Sequence, residues 1–260
     1  MTPVIDANAY LGDWPFRALR RRTPGALRRA LGAVGITRAA VSPLAAIFRQ
    51  ECQSANTEML RALGRSRDFF LPALALNPGY PGWEDDLEAA VAARAVGVRL
   101  FPNYHAYGLG DDAARAAVTR ATEAGLAVFI SLRMQDERHH HPRMMAPAAP
   151  ANEVAALAQA APGARIVACM ARYGEAEALL AGNPSSSDPT GVWLDLSGVQ
   201  GPVGCVDLLA RRFGAGRLLM GTGAPLQYPL PAVAKIHSSE LAAAERDRIL
   251  GGNAMRLLAL

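Results

Sequence analysis

The chain has 260 residues, 51% of them hydrophobic, a formal net charge of +4 and three cysteines. That length suits one large domain or two small ones and supplies ample apolar material for a core. No run of 18 apolar residues is present to span a bilayer.

Apolar runs rich in β-formers alternate with Ala/Leu/Arg/Glu segments of helical period from end to end. A strand at 4–8 precedes a helix over 24–34. A strand at 39–42 and a helix over 56–63 make the second unit. Segments 69–76 and 84–94 make the third, and 97–101 with 112–124 the fourth. The fifth strand, 126–132, runs into a long loop before a helix at 153–160. Then come 164–170 with 175–181, 192–196 with 206–213, and an eighth strand at 217–220. Terminal helices follow near 240–249 and 254–258. Gly35, Gly64, Gly125, Gly214 and Gly216 stand just past helices, where a left-handed stop is needed. Asn183 to Pro189, rich in proline and serine, is too short for a domain linker and is expected to be a surface loop.

Strands alternating with helices imply a parallel sheet, and eight repeats in this length favour one closed α/β barrel, a (β/α)8 or TIM barrel, over an open doubly wound sheet. No GxGxxG or GxxxxGK[ST] follows a strand, so no nucleotide site of those types is expected. Cys52, Cys169 and Cys205 are odd in number and lack CxxC spacing, which points to reduced thiols and a cytoplasmic location. The strand pattern begins by Pro3 and leaves no room for a signal peptide. The basic excess is almost all arginine: Lys235 is the sole lysine, leaving 26 arginines. Together with the high alanine content, this matches the bias of a high-GC genome. The densest cluster, Arg20 to Arg22 with Arg28 and Arg29, has no interleaved aromatics of the kind single-strand binders use. It reads as a solvated helix entrance rather than a nucleic-acid site.

Catalysis in such a barrel sits at the strand C-termini and the loops that follow. Those ends carry Asn8, Tyr10, Asp13, Trp14 and Arg17 after strand one, and Arg99 in strand four with Asn103, Tyr104, His105 and Tyr107 beyond it. Arg133 to His141 follow strand five, Arg172 strand six and Thr222 strand eight. Arg133 and Arg172, joined by Arg99, suggest a carboxylate clamp, since guanidinium planes bind carboxylates in bidentate fashion. The alternative is structural: Arg133 bridging Asp136 or Glu137, and Arg172 bridging Glu175. His105 or one histidine of the His139-His140-His141 run is the candidate proton carrier; three neighbours in an extended loop point apart and rarely meet one cation. Asp6 and Asp195, inside strands, read first as hydrogen-bonded structural groups, and the aromatics Trp14, Phe16 and Phe48 as a barrel cap.

Four segments, Ile5-Asp6 through Gly12, Gly97-Val98-Arg99-Leu100-Phe101-Pro102, Arg217-Leu218-Leu219-Met220-Gly221-Thr222 and Gly252-Asn253-Ala254-Met255-Arg256-Leu257, stand in an order that resembles the amidohydrolase-related branch of the metal-dependent hydrolases. The resemblance implies zinc or a similar cation held by two strand-one histidines, one histidine each from strands five and six, and a strand-eight aspartate. The matching positions are Asn8, Tyr10, Ser131, Met170 and Gly223, a set too poor in donors for such an ion. The expectation is therefore an enzyme with no metal or other cofactor, opening a lactone or amide of a small anionic substrate. Arg99, Asn103, Arg133, Arg172 and Thr222 would bind that substrate, Asn8 and Tyr10 would polarise its carbonyl, and His105 or His141 would move the proton. Non-hydrolytic decarboxylation and a pseudoenzyme that binds without turnover are the alternatives. A homo-oligomer is left open, and no nucleic-acid or membrane partner is expected.

Overall fold

Strands that are buried along almost their whole length need cover on both faces, and here they obtain it by closing on themselves inside a ring of helices. The computed structural model describes residues 3–136, 138, 140, 141, 146–183 and 188–260. The strands β1 (Ile5–Leu11), β2 (Arg38–Pro43), β3 (Phe70–Ala75), β4 (Gly97–Leu100), β5 (Ala127–Ser131), β6 (Arg165–Cys169), β7 (Gly191–Asp195) and β8 (Leu218–Leu219) pair in parallel and in chain order. The circle is completed between β1 and the segment around β8. Ala7 N donates to the Met220 carbonyl at 2.8 Å, Gly223 N to the Asn8 carbonyl at 2.7 Å, and Tyr10 N to the Ala224 carbonyl at 2.7 Å. The expected TIM-barrel class is thus present.

The helices are α1 (Pro24–Gly32), α2 (Gln53–Leu63), α3 (Trp83–Ala92), α4 (Pro102–His105), α5 (Asp112–Glu123), α6 (Ala151–Ala160), α7 (Ala176–Leu180), α8 (Cys205–Phe213), α9 (Pro229–His237), α10 (Ala243–Asp247) and α11 (Asn253–Leu258). Their apolar stripes, such as Leu27 and Leu31 of α1 or Val154 and Leu157 of α6, meet the outward residues of the strands in one continuous layer. A second cluster fills the barrel's interior with Ile5, Ala7, Phe129, Val167, Trp193 and Leu219. Ala254, Leu257 and Leu258 of α11 join it. Arg165, at the start of β6, donates to the Leu257 carbonyl at 2.6 Å, so α11 stops the barrel at the strands' N-terminal end. The other end is left for chemistry. No helix among the described residues is long and apolar enough to cross a membrane.

One irregularity positions the site. Asp6 stands opposite Ala39 and Ala9 opposite Val41, so β1 carries one residue more than β2 over this stretch. Such a bulge reverses the alternation of side chains. Below it, Ile5 and Ala7 point into the barrel; above it, Asn8 and Tyr10 do, while Ala9 and Leu11 join the outer layer.

Candidate active site at the barrel mouth

At the centre of the upper barrel lies Arg99, fully buried. Its Nε donates to Ser42 Oγ at 2.7 Å; its Nη1 reaches Tyr10 Oη at 2.8 Å, Asn8 Oδ1 at 2.9 Å and Ser131 Oγ at 3.1 Å. The guanidinium also lies over the rings of Tyr10 and Phe129, 4.7 and 5.1 Å from their centroids. Strands β1, β2 and β5 therefore all point polar groups at one cation carried by β4. Burial raises the Tyr10 hydroxyl's pKa despite the nearby charge of Arg99, so it stays a neutral phenol. Nη2 of Arg99 is buried with no hydrogen-bond partner among the described residues.

Asn8 links this cation to an anion. Its oxygen accepts from Arg99, which fixes its amide to donate to Asp195 Oδ2 at 2.8 Å and Ser197 Oγ at 3.0 Å. Asp195 also accepts from Ser197 N at 2.9 Å, Met170 N at 3.2 Å and, closely, the Ser197 hydroxyl. Burial nevertheless pushes its pKa up, against the pull of those donors. Asp6, outside the bulge, accepts from Asn8 N and Thr222 N at 2.9 Å and from the Thr222 hydroxyl at 2.5 Å. Burial raises it to about 6, with the neighbouring Asp195 adding to the rise. Gly221 is needed here, since a Cβ would lie 1.9 Å from Asp195 Oδ1. Met170 adopts a left-handed backbone with φ of 61°, strained for a side chain of this size. Its N is held by Asp195 and its carbonyl by Arg133 Nη1 at 2.8 Å.

Above this layer, a cavity of about 280 Å³ opens between the ends of β5, β6 and β7, lined in part by Arg133, Asp136, Met170, Arg172, Gln200 and Gln227. The two arginines of the expected clamp do share one wall. Arg133, however, is engaged: its guanidinium pairs with both carboxylate oxygens of Glu175, at 2.8 and 2.5 Å. Glu175 also accepts from Arg172 N at 2.7 Å. Asp136, one of the two partners expected for Arg133, pairs with Arg138, which holds its carboxyl below the usual range. Glu137 and His139 lie outside the described residues. Among the described residues, Arg133 and Arg172 are the basic groups of the cavity's lining and Asp136 its acidic one.

The other candidates lie away from this cavity. Asn8, Tyr10 and Arg99 sit below it, hydrogen-bonded to one another. Thr222 is spent on Asp6, and Asn103 Nδ2 ties loops together through the Leu132 and Pro147 carbonyls at 3.3 and 3.0 Å. His105 is buried against the β2 side, its Nε2 2.9 Å from the Ala46 carbonyl, and burial lowers its pKa. His141 is exposed and stacks on Phe16 at 6.0 Å. Neither histidine lines the cavity. Sequence reasoning passed over Ser42, Ser197, Gln200 and Gln227. Ser197, two residues past the end of β7, had a signal, since a strand-end Asp-x-Ser offers its own capping pattern.

A parallel eight-stranded barrel with a polar pocket at its C-terminal mouth defines the class, a TIM-barrel protein. The family model Amidohydro_2, described as Amidohydrolase, matches residues 7–260, and the chain belongs to that family. Among solved structures it is similar to a 2,6-dihydroxybenzoate decarboxylase complexed with 2,6-dihydroxybenzoate, at 17% identity over all of both chains with a TM-score of 0.77. A dihydroxybenzoic acid decarboxylase from Polaromonas, with bound manganese and 2-nitroresorcinol, aligns at 16% identity over 100% of this chain and 98% of that one, TM-score 0.76. A 5-carboxyvanillate decarboxylase from Sphingomonas paucimobilis aligns over both whole chains at 15% identity and a TM-score of 0.73. A search of curated proteins finds no match.

The residues present do not fit a divalent ion of the kind bound in the Polaromonas structure. Three of the five expected ligand positions, Asn8, Tyr10 and Ser131, hold Arg99 Nη1 at hydrogen-bond distance, so an ion there would face a guanidinium. Met170 supplies only a thioether and Gly223 nothing. Among the described residues no group of three or more His, Cys, Asp or Glu is placed to hold an ion.

Proposed function

We propose that the protein binds a small aromatic carboxylate in the mouth cavity and removes its carboxyl group without hydrolysis or a metal ion. The observation that carries this reading is the pairing of an arginine-lined cavity with a buried carboxyl one residue behind its wall: Met170 lines the cavity, and its N donates to Asp195, whose pKa burial raises. The solved relatives named as decarboxylases of dihydroxybenzoate and carboxyvanillate support the substrate class.

The chain's own groups divide the work. Arg172, exposed on the rim, attracts and orients the carboxylate, while Arg133, locked to Glu175, sets the field around it. Departure of CO2 leaves an electron pair on the ring carbon, and a proton must take its place. Asp195, whose pKa burial raises, delivers that proton through the Ser197 hydroxyl and recovers it from solvent. Hydrolysis is the weaker reading because it needs an activated water: Gly223 stands where the base would be, and neither His105 nor His141 reaches the cavity. The closed network around Arg99 favours a second reading, binding without turnover.

The test is a panel of hydroxybenzoates labelled with carbon isotope in the carboxyl group. Labelled CO2 should be released, with one deuterium gained per turnover in heavy water. Asp195→Asn should slow release by about 100- to 10,000-fold, as expected for loss of a proton donor, while carboxylate binding persists. Binding with no CO2 release from any member would leave the non-catalytic reading. Hydrolysis of a lactone or amide by the same cavity would overturn both.

A further inference from the structure

Beside the mouth cavity, and sharing Gln200 and Gln227 with it, runs a larger groove of about 920 Å³ between α8, α9 and the loop after β7. That volume falls within the usual range for small-molecule sites. Its walls are mainly apolar: Val203, Leu208 and Tyr228 are exposed, and Ala232 lies deeper. The mechanism proposed above uses nothing in it except Ser197. The only lysine of the chain, Lys235 of α9, lines it.

Lys235 is held in an unusual way for a lysine. Its Nζ donates to the Leu196 carbonyl at 2.7 Å and to the Val199 carbonyl at 2.8 Å, and among the described residues it forms no ion pair. A neutral amine has two N–H bonds and one lone pair; two carbonyls satisfy both N–H bonds and leave the lone pair unused. Burial lowers the pKa of this amine, partly offset by the charges of Asp195 and Cys205. A desolvated lysine in a largely apolar pocket is the arrangement by which proteins make an amine nucleophilic at neutral pH.

We infer that this groove is a carbonyl-capture site, in which Lys235 Nζ forms an imine with an aldehyde or ketone carrying an apolar body. The nitrogen lone pair attacks the carbonyl carbon, the C=O bond is lost as the C=N bond forms, and the oxygen leaves as one water with two protons, both taken from the amine nitrogen. No oxidant or reductant is consumed. The apolar part of the ligand lies against Leu208 and Tyr228, and the polar rim of Asp207 and Arg211 faces solvent. This inference does not rest on the decarboxylation reading, which uses Ser197 of the groove's lining but not Lys235.

The experiment uses the intact protein with benzaldehyde and cyanoborohydride at neutral pH, followed by mass spectrometry and peptide mapping. Because the chain has one lysine, only Lys235 and the N-terminal amine can be labelled. One benzyl group on Lys235 is expected. Confinement in the groove should make it form at least about tenfold faster than on the isolated α9 peptide under the same conditions, because a bound carbonyl no longer has to be met by diffusion. Lys235→Arg, which keeps a donor for the two carbonyls and so the fold, should abolish the adduct and leave labelling of the N-terminus unchanged. Filling the groove with Ala232→Trp should slow labelling of a Lys235 that is still present. Labelling confined to the N-terminus, or Lys235 reacting no faster than the peptide, overturns the proposal. None of these outcomes depends on CO2 release, so each reading can fail alone.

Discussion

Arg99 and Arg172 are the same side chain in two settings, and their contrast divides the molecule into an axis and a rim. On the axis, Arg99 is enclosed by Asn8, Tyr10, Ser42 and Ser131, each within 3.1 Å of its guanidinium. On the rim, Arg172 is exposed beside Asp136, Glu175 and an open cavity. At the barrel axis this chain holds a fixed organic cation, the Arg99 guanidinium. Burial decides the difference. An enclosed guanidinium is a structural charge whose partners are spent on it, whereas an exposed one stays within reach of a ligand. In the function proposed above, the polar residues that the family resemblance marks for chemistry serve as the scaffold, and the rim carries the recognition.

The largest effect should come from breaking the axis. Arg99→Met keeps much of the side chain's volume but leaves Asn8, Tyr10 and two serines without their common donor and removes the cation that balances Asp195. Loss of one partner from a buried charged network typically costs about 3–5 kcal/mol, so guanidinium melts should show a loss of that order. A loss under about 1 kcal/mol, the worth of one ordinary hydrogen bond, would mean that Arg99 is not the hub its contacts indicate.

How much of this was legible beforehand follows from what each feature depends on. The eight strand–helix units are local patterns of period and composition, so they could be read from the chain, as could the substitutions at Asn8, Tyr10, Ser131, Met170 and Gly223. The hub could not. Arg99 meets Asn8 across 91 residues of sequence, and does so because a bulge in β1 turns Asn8 and Tyr10 inward; nothing in Val4 to Gly12 announces an extra residue. Arg99 was therefore expected to bind substrate. That Lys235 is the sole lysine can be read from the chain, but its place at the groove depends on how α9 packs, with Pro229 at home in that helix's first turn. His105 was expected near the chemistry from its loop position. The chain instead turns it under the rim toward Ala46, which no spacing rule foretells.

A smaller effect distinguishes the two carboxylates behind the axis from those on the surface. Asp6 is raised from 3.8 to about 6 because burial penalises its charge. A raised folded-state value means that its contribution to stability is fully present below pH 4 and is lost as pH rises through about 6. The shift corresponds to something on the order of 3 kcal/mol. Asp6→Asn cannot ionise, so wild type should lose stability relative to this variant between about pH 4 and pH 6, and the gap should then stay constant. The check is a set of denaturant melts across that window for both proteins. Curves that stay parallel throughout would show that Asp6 is ionised at all these pH values and that the Thr222 hydroxyl and two backbone N–H groups outweigh its burial.

The smallest effect on stability, and the most telling for function, is expected at Arg172. Substitutions on an exposed surface usually move stability by no more than about 0.5 kcal/mol, so Arg172→Ala should melt close to wild type. Its effect should show only with ligand. A carboxylate present at 100 times its dissociation constant stabilises the folded state by about 2.7 kcal/mol, and a hydroxybenzoate should raise the wild-type melting temperature accordingly. Arg172→Ala should lose most of that rise, and Arg172→Lys should keep part of it, since a point charge attracts a carboxylate but cannot hold it in bidentate fashion. Sulfate and a neutral phenol complete the comparison. A rise with sulfate that disappears in Arg172→Ala would identify a general anion site, and a rise with phenol alone would shift the recognition to the apolar groove. An undiminished hydroxybenzoate effect in Arg172→Ala would remove the rim from recognition and with it the division between rim and axis.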